Sequence, residues 1–94
     1  MNIGDTIAFL RQSKGWTQSE LAERADIAVT ALSMIETGYR DPSKKMIISI
    51  SGALNISLDV VTFLSLDPDK IPVSKRSEFS ELHSSFKEMV KELL

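Results

Sequence analysis

Arg40, Lys44 and Lys45 fall within six positions of one another, against the single carboxylate of Asp41, in a 94-residue chain of formal net charge -2. Cations gathered in a nearly neutral chain make a local seat for an anion, because the distribution of charge matters more than its sum. The rest of the chain is poorly equipped for chemistry. His83 is the only histidine, cysteine is absent, and no glycine-rich phosphate loop occurs. Asp67-Pro68-Asp69 brings too few ligands for a divalent cation. An enzyme is therefore not expected, nor a metal, a cofactor or a disulfide. His83 is expected to be exposed or to lie in an interface.

Just before the cations runs IAVTALSMIETG, residues 27–38, a stretch without Arg, Lys, Asn or Gln. Its place is set by the elements around it. Ile3, Ile7 and Leu10 recur at helical spacing, predicting a first helix over 3–14 that Lys14 and Gly15 end. Thr17-Gln18-Ser19-Glu20 is a capping box, and Trp16 with Leu21 occupies the positions of a hydrophobic staple. A second helix then covers 18–24, with Trp16 packing against it. A third helix covers 28–37 and closes at Gly38. Asp41-Pro42-Ser43 is a turn with Ser43 as a cap. Met46, Ile47, Ile50, Ala53 and Leu54 mark a fourth helix, within which Gly52 costs up to ~1 kcal/mol relative to Ala. Asn55 can take a left-handed exit, and Ser57 caps a fifth helix over 58–64.

No segment alternates with a period of two, so the fold class is all-α. Hydrophobic residues make up 43% of the chain, enough for one small core. Domains this short often gain stability by oligomerising. The apolar runs are too short to cross a bilayer and none follows a basic N-terminus, so a cytoplasmic protein without a membrane partner is expected.

Pro68 and Pro72 interrupt the pattern, dividing a domain over 1–66 from a linker over 67–77. Beyond it, Phe79, Leu82, Phe86, Met89 and Leu93 recur by three and four, an amphipathic seam with Glu and Lys on the other face. A helix of this length is marginal alone, so the seam must bury against something. Residues 78–94 are expected to pair two copies as a homodimer, and Phe9, off the core face of the first helix, joins that surface. The alternative is that the tail folds back on its own core.

Two short helices joined by about three residues and closed by a Gly form a helix-turn-helix. Ala22 is small where the helices approach, Ala25 and Ile27 are apolar around the turn, and Leu32 and Ile35 face inward. With LRQSKGWTQSELAERADI, IETGYRDPS and ALNISLDVV in this order, residues 3–64 resemble the Cro/C1-type helix-turn-helix family of bacterial and phage repressors. The resemblance implies a five-helix lambda-repressor-like DNA-binding domain followed here by a C-terminal amphipathic helix. It implies a phosphate contact for Gln18, a mostly buried salt bridge between Arg11 and Glu36, and a major-groove face made by Ala28, Val29, Thr30, Ser33 and Met34. It also assigns Thr37, Tyr39 and Arg40 to a loop that touches the DNA backbone.

Four positions depart from the family pattern. Asp26 stands for the usual turn Gly, and Asp tolerates the left-handed region. Ala28 replaces a Ser or Thr cap, a loss of ~1 kcal/mol. Lys44 and Lys45 replace an apolar and an acidic residue and can reach phosphates.

Affinity for DNA comes mainly from phosphate contacts, which need not lie on the reading helix. What that helix retains is rich in methyl groups. Ala28, Val29, Thr30 and Met34 can pack on the C5-methyl of thymine, while the Thr30 and Ser33 hydroxyls can bond either base type. The expected function is a transcriptional regulator, a repressor that binds an inverted-repeat operator in double-stranded DNA as a dimer. The alternative is a protein-interaction module on the same fold that antagonises another regulator, and a protein antagonist is a further possible partner.

Overall fold

A computed structural model describes residues 1–94. Six helices follow one another without strands: α1 (Ile3–Ser13), α2 (Gln18–Ala25), α3 (Val29–Glu36), α4 (Lys44–Leu54), α5 (Leu58–Leu64) and α6 (Arg76–Leu93). Short polar side chains start four of them. Asn2, Thr17, Ser43 and Ser57 accept from the amides of Asp5, Glu20, Met46 and Asp59, filling donors that a helix start otherwise leaves empty. The Thr17–Glu20 capping box is complete in both directions. Ala28 offers no such bond, so α3 begins uncapped. Asp26 and Asn55 both sit at φ 55°, and each closes its helix in the left-handed conformation.

Ile7, Leu10, Leu21, Leu32, Ile35, Ile50, Leu54 and Leu64 are each at most 1% exposed and form the centre of the core. Fully burying each such side chain contributes roughly 1.5–3 kcal/mol. Gly4 has a role that no periodicity announces. A Cβ there would run into the carbonyl oxygen of Ile35, so only Gly lets α1 approach the end of α3 this closely.

The tail is where expectation and structure part. α6 begins at Arg76, two residues early, and lies against its own domain. Val90 is 4% exposed and belongs to the main core. Phe63 of α5 meets Phe86 edge-on at 4.8 Å between ring centroids and Phe79 at 6.2 Å. Lys87 stands 4.8 Å over the ring of Phe9, so Phe9 does meet the tail, but within one chain. His83 stacks on Phe63 and donates from Nε2 to the carbonyl of Leu64 at 2.9 Å, satisfying an acceptor at the end of α5.

The stretch before α6 is no free tether. It contains two single-turn 3₁₀ segments, Pro68–Lys70 and Val73–Lys75. The Arg76 guanidinium donates to the carbonyls of Pro68, Asp69 and Ile71 and holds the turns against the helix.

Within one chain the seam is divided. Residues 79, 83, 86, 90 and 94 face the domain. Of the five residues expected to join two copies, Phe79 and Phe86 are half-buried on Phe63, whereas Leu82, Met89 and Leu93 are exposed at 60%, 50% and 79%. The reason is proximity. Phe63, Phe9 and Val60 present an apolar surface on the same chain, at an effective concentration no second molecule can match.

Candidate nucleic-acid interface

α2 ends at Asp26, whose backbone N–H turns back to Ala22 and Glu23, and Ile27 donates to the Ala22 carbonyl. This tight exit sets α3 across α2, with Leu21, Ala22 and Ala25 packed beneath Leu32 and Ile35. The inward residues of α3 leave the opposite side of the helix in solvent. Ala28, Thr30, Val29 and Met34 are exposed there, the last two at 42% and 43%, and Ser33 is half-buried at the margin.

α3 ends in a left-handed Gly38 at φ 81°, a conformation that favours glycine. The amides of Tyr39 and Arg40 then bond the Met34 carbonyl, folding the loop against the helix end. Tyr39 projects 86% exposed, and Arg40, Lys44 and Lys45 are exposed beside it. Thr37 is different from its neighbours, because its hydroxyl lies within 3.0 Å of the Ser33 carbonyl and 3.2 Å of the Met34 carbonyl. Its single proton is turned into the helix, which leaves an acceptor oxygen facing outward and removes Thr37 as a hydroxyl donor to phosphate.

Arg11 and Glu36 form a two-pronged pair, Nε to Oε2 at 2.8 Å and Nη2 to Oε1 at 2.9 Å, with side-chain exposures of 12% and 5%. Arg11 Nη1 also donates to the Trp16 carbonyl at 2.7 Å. One guanidinium thereby joins α1, the turn before α2 and the end of α3. The hydrogen bonds to Glu36 push the Arg11 pKa up, and the charge of Glu36 adds to this, against the opposite effect of burial.

Gln18 joins the same group, donating from Nε2 to Glu36 Oε1 at 3.1 Å. Gln18 was expected at a phosphate, and its position at the start of α2 agrees with that. The bond to Glu36 orients the amide, and the second proton on Nε2 remains for an outside acceptor. No signal in the sequence pointed to this third member, nor to the Trp16 carbonyl.

The only carboxylate of α3 is thus engaged by Arg11 and Gln18. What α3, its following loop and the start of α4 present outward is methyl groups, two hydroxyls, a phenol and three cations. Such a face suits a polyanion that also offers apolar edges, as duplex DNA does in its major groove.

Comparison with known proteins agrees. The helix-turn-helix family model matches residues 7–61. The chain is 33% identical over 93 residues to the HTH-type transcriptional regulator ImmR of Bacillus subtilis, covering 99% of this chain and 68% of that protein. It is 30% identical over 69 residues to the competence pilus inhibition repressor of Acinetobacter baylyi, covering 73% of this chain and 63% of the repressor. With the HTH-type transcriptional regulator SinR of Bacillus subtilis it shares 39% identity over 57 residues, 60% of this chain and 51% of that one. The likeness to ImmR runs through the tail as well as the domain, whereas the likeness to SinR is confined to a shorter stretch. No single helix is long and apolar enough to cross a membrane. The chain belongs to the Cro/C1-type helix-turn-helix family of DNA-binding transcriptional regulators.

Proposed function

We propose that the protein is a repressor that acts in the cytoplasm as a homodimer on an inverted-repeat operator. The observation that carries the DNA-reading assignment is the outward side of α3, where Val29, Thr30 and Met34 are exposed and are followed along the chain by exposed Arg40, Lys44 and Lys45, while Glu36 is held inside. The cations and Gln18 hold phosphates. Ala28, Val29, the Thr30 methyl and Met34 favour thymines, and the Thr30 and Ser33 hydroxyls add bonds to either base type. DNA shape and the spacing of the half-sites supply the remaining specificity.

The second copy is assigned to a face other than α6, since Phe79 and Phe86 are engaged within the chain. A groove of about 500 Å³ is lined in part by Ile3, Pro42, Ile47, Leu58 and Leu66. Asp41 of the loop after Arg40 and Lys44 at the start of α4 also line it, so a two-fold contact there keeps both reading helices near one DNA face. Half-sites then lie about one helical turn apart, ~34 Å centre to centre.

Selection of bound sequences from a random pool tests the reading. A palindromic, thymine-rich motif is the expected result. With about four phosphate contacts per protomer, log K falls against log salt with a slope of roughly -7. Failure to enrich any motif at low salt overturns the assignment. In sedimentation, Leu58→Glu should yield monomers and Leu82→Glu should not.

A further inference from the structure

α6 presents a second surface that DNA binding does not use. Leu82, Met89 and Leu93 are exposed at 60%, 50% and 79%, and their spacing of seven and four aligns them along one side of the helix. Each is directly preceded by a glutamate, Glu81, Glu88 and Glu92. One residue is a 100° step around a helix of 3.6 residues per turn, so the carboxylates form a line parallel to the apolar one. Glu81, Glu88 and Glu92 take part in no ion pair, and Glu78, one turn before Leu82, has only a loose exposed contact with Lys75 at 3.9 Å. The cations of α6 lie elsewhere, with Arg76 tied to carbonyls, Lys87 over Phe9, and Lys91 lining a concavity with Phe9, Gln12 and Ser13 of α1. At the C-terminal end the stripe reaches a concavity of about 190 Å³ lined in part by Ile56, Val60, Val90 and Leu94.

This pattern argues against a second copy as the occupant. In an antiparallel pair, equivalent flanks meet, which sets the glutamate line against itself. In a parallel pair, each glutamate line meets the flank that α6 already packs on its own domain. Like charges brought face to face oppose association.

We infer that the outer stripe of α6 docks an amphipathic helix of a different protein, one with an apolar line bordered by lysines or arginines. Leu82, Met89 and Leu93 meet the apolar line, the terminal concavity takes one large apolar side chain, and the glutamates pair with the basic border. The mode is helix-on-helix recognition through anchors three, four and seven residues apart.

The test uses the full chain and two dye-labelled synthetic 18-residue helical peptides. Both carry leucines at seam positions; one is bordered by lysines and the other by glutamates. Fluorescence anisotropy should show the lysine-bordered peptide binding at least about tenfold tighter. The double variant Leu82→Ser, Met89→Ser should lose that binding while its melting temperature stays within a few degrees, since both residues are exposed. Glu81→Lys with Glu88→Lys and Glu92→Lys should reverse the preference, and Glu20→Lys with Glu23→Lys on α2 should leave it intact. Equal binding of the two peptides overturns the proposal, as does an equal loss in the α2 variant, which would mean attraction by net charge alone. Dissociation of a homodimer by Leu82→Ser, Met89→Ser overturns it too, because the stripe would then belong to a second copy.

Discussion

α3 and α6 each bury one apolar line and leave another in solvent. α3 buries Leu32 and Ile35 and exposes Val29 and Met34; α6 buries Val90 and exposes Leu82, Met89 and Leu93. Their borders differ in sign. The exposed line of α3 is followed along the chain by the exposed cations Arg40, Lys44 and Lys45, and its one carboxylate is neutralised by Arg11. The exposed line of α6 runs beside three glutamates without ion-pair partners. Apolar exposure by itself does not say what a surface is for; the charge along its edge says which kind of partner fits. A cationic border matches a polyanion, and an anionic border repels one.

The two helices also differ in what they do for stability, and removing α6 should have the largest effect. A chain ending at Pro72 loses Val90 from the core and uncovers Phe63 and Phe9. About 5 kcal/mol of burial disappears, counting one fully buried side chain and several half-buried aromatics. That is comparable to the whole stability of a small domain. The truncated chain should lose its cooperative thermal transition. If it melts like the full chain, α6 is an appendage and the two regions are separable after all.

Glu36→Gln attacks the support of α3 instead. It leaves the Arg11 guanidinium partly buried without its counter-charge, at a cost of roughly 3 kcal/mol. Urea unfolding should show that loss, with Glu23→Gln on an exposed face within about 0.5 kcal/mol of the parent. Equal midpoints would reduce the pair to surface decoration. Because the pKa of Arg11 is raised in the fold, its contribution is present below the ordinary arginine range and is lost as pH rises through the raised value. The Glu36→Gln effect should therefore not vary around neutral pH.

The charged border of α3 predicts a graded effect on DNA. Lys44→Gln with Lys45→Gln should make the salt dependence of binding shallower, by about one unit of slope for each phosphate no longer neutralised and for every sequence alike. An unchanged slope would show that the two lysines stand off the backbone. The methyl-rich face predicts something smaller and position-specific. Thymine replaced by uracil at contacted positions should cost about 1 kcal/mol for each methyl removed, by analogy with burial of a methylene. Unaltered affinity at all thymines would remove direct apolar reading from α3.

The smallest effect expected is a gain. Gly52 lies inside α4 with open space where a Cβ would stand. Gly52→Ala should raise stability by about 0.5–1 kcal/mol without touching either exposed line.

Much of this molecule was legible as a string of residues. The capping box at Thr17 and Glu20, the left-handed exits at Asp26 and Asn55, the uncapped Ala28 and the Arg11–Glu36 pair all stand as expected. Caps and turns depend on residues three or four apart, and the ion pair was legible through the family pattern. Tertiary structure decided the rest. Only the approach of α1 to the end of α3 makes Gly4 necessary, and only the meeting of α2 with α3 brings Gln18 to Glu36. The tail shows the division most plainly. Its sequence determined an amphipathic helix with two adjacent apolar lines, 79-86-90 and 82-89-93, and nothing local ranks one above the other. The choice fell to Phe63 and Phe9, whose rings already stood on the same chain and drew Phe79, Phe86 and Val90 inward. Periodicity reports that a helix has an apolar side, but which part of it is covered depends on surfaces brought close only when the chain has folded.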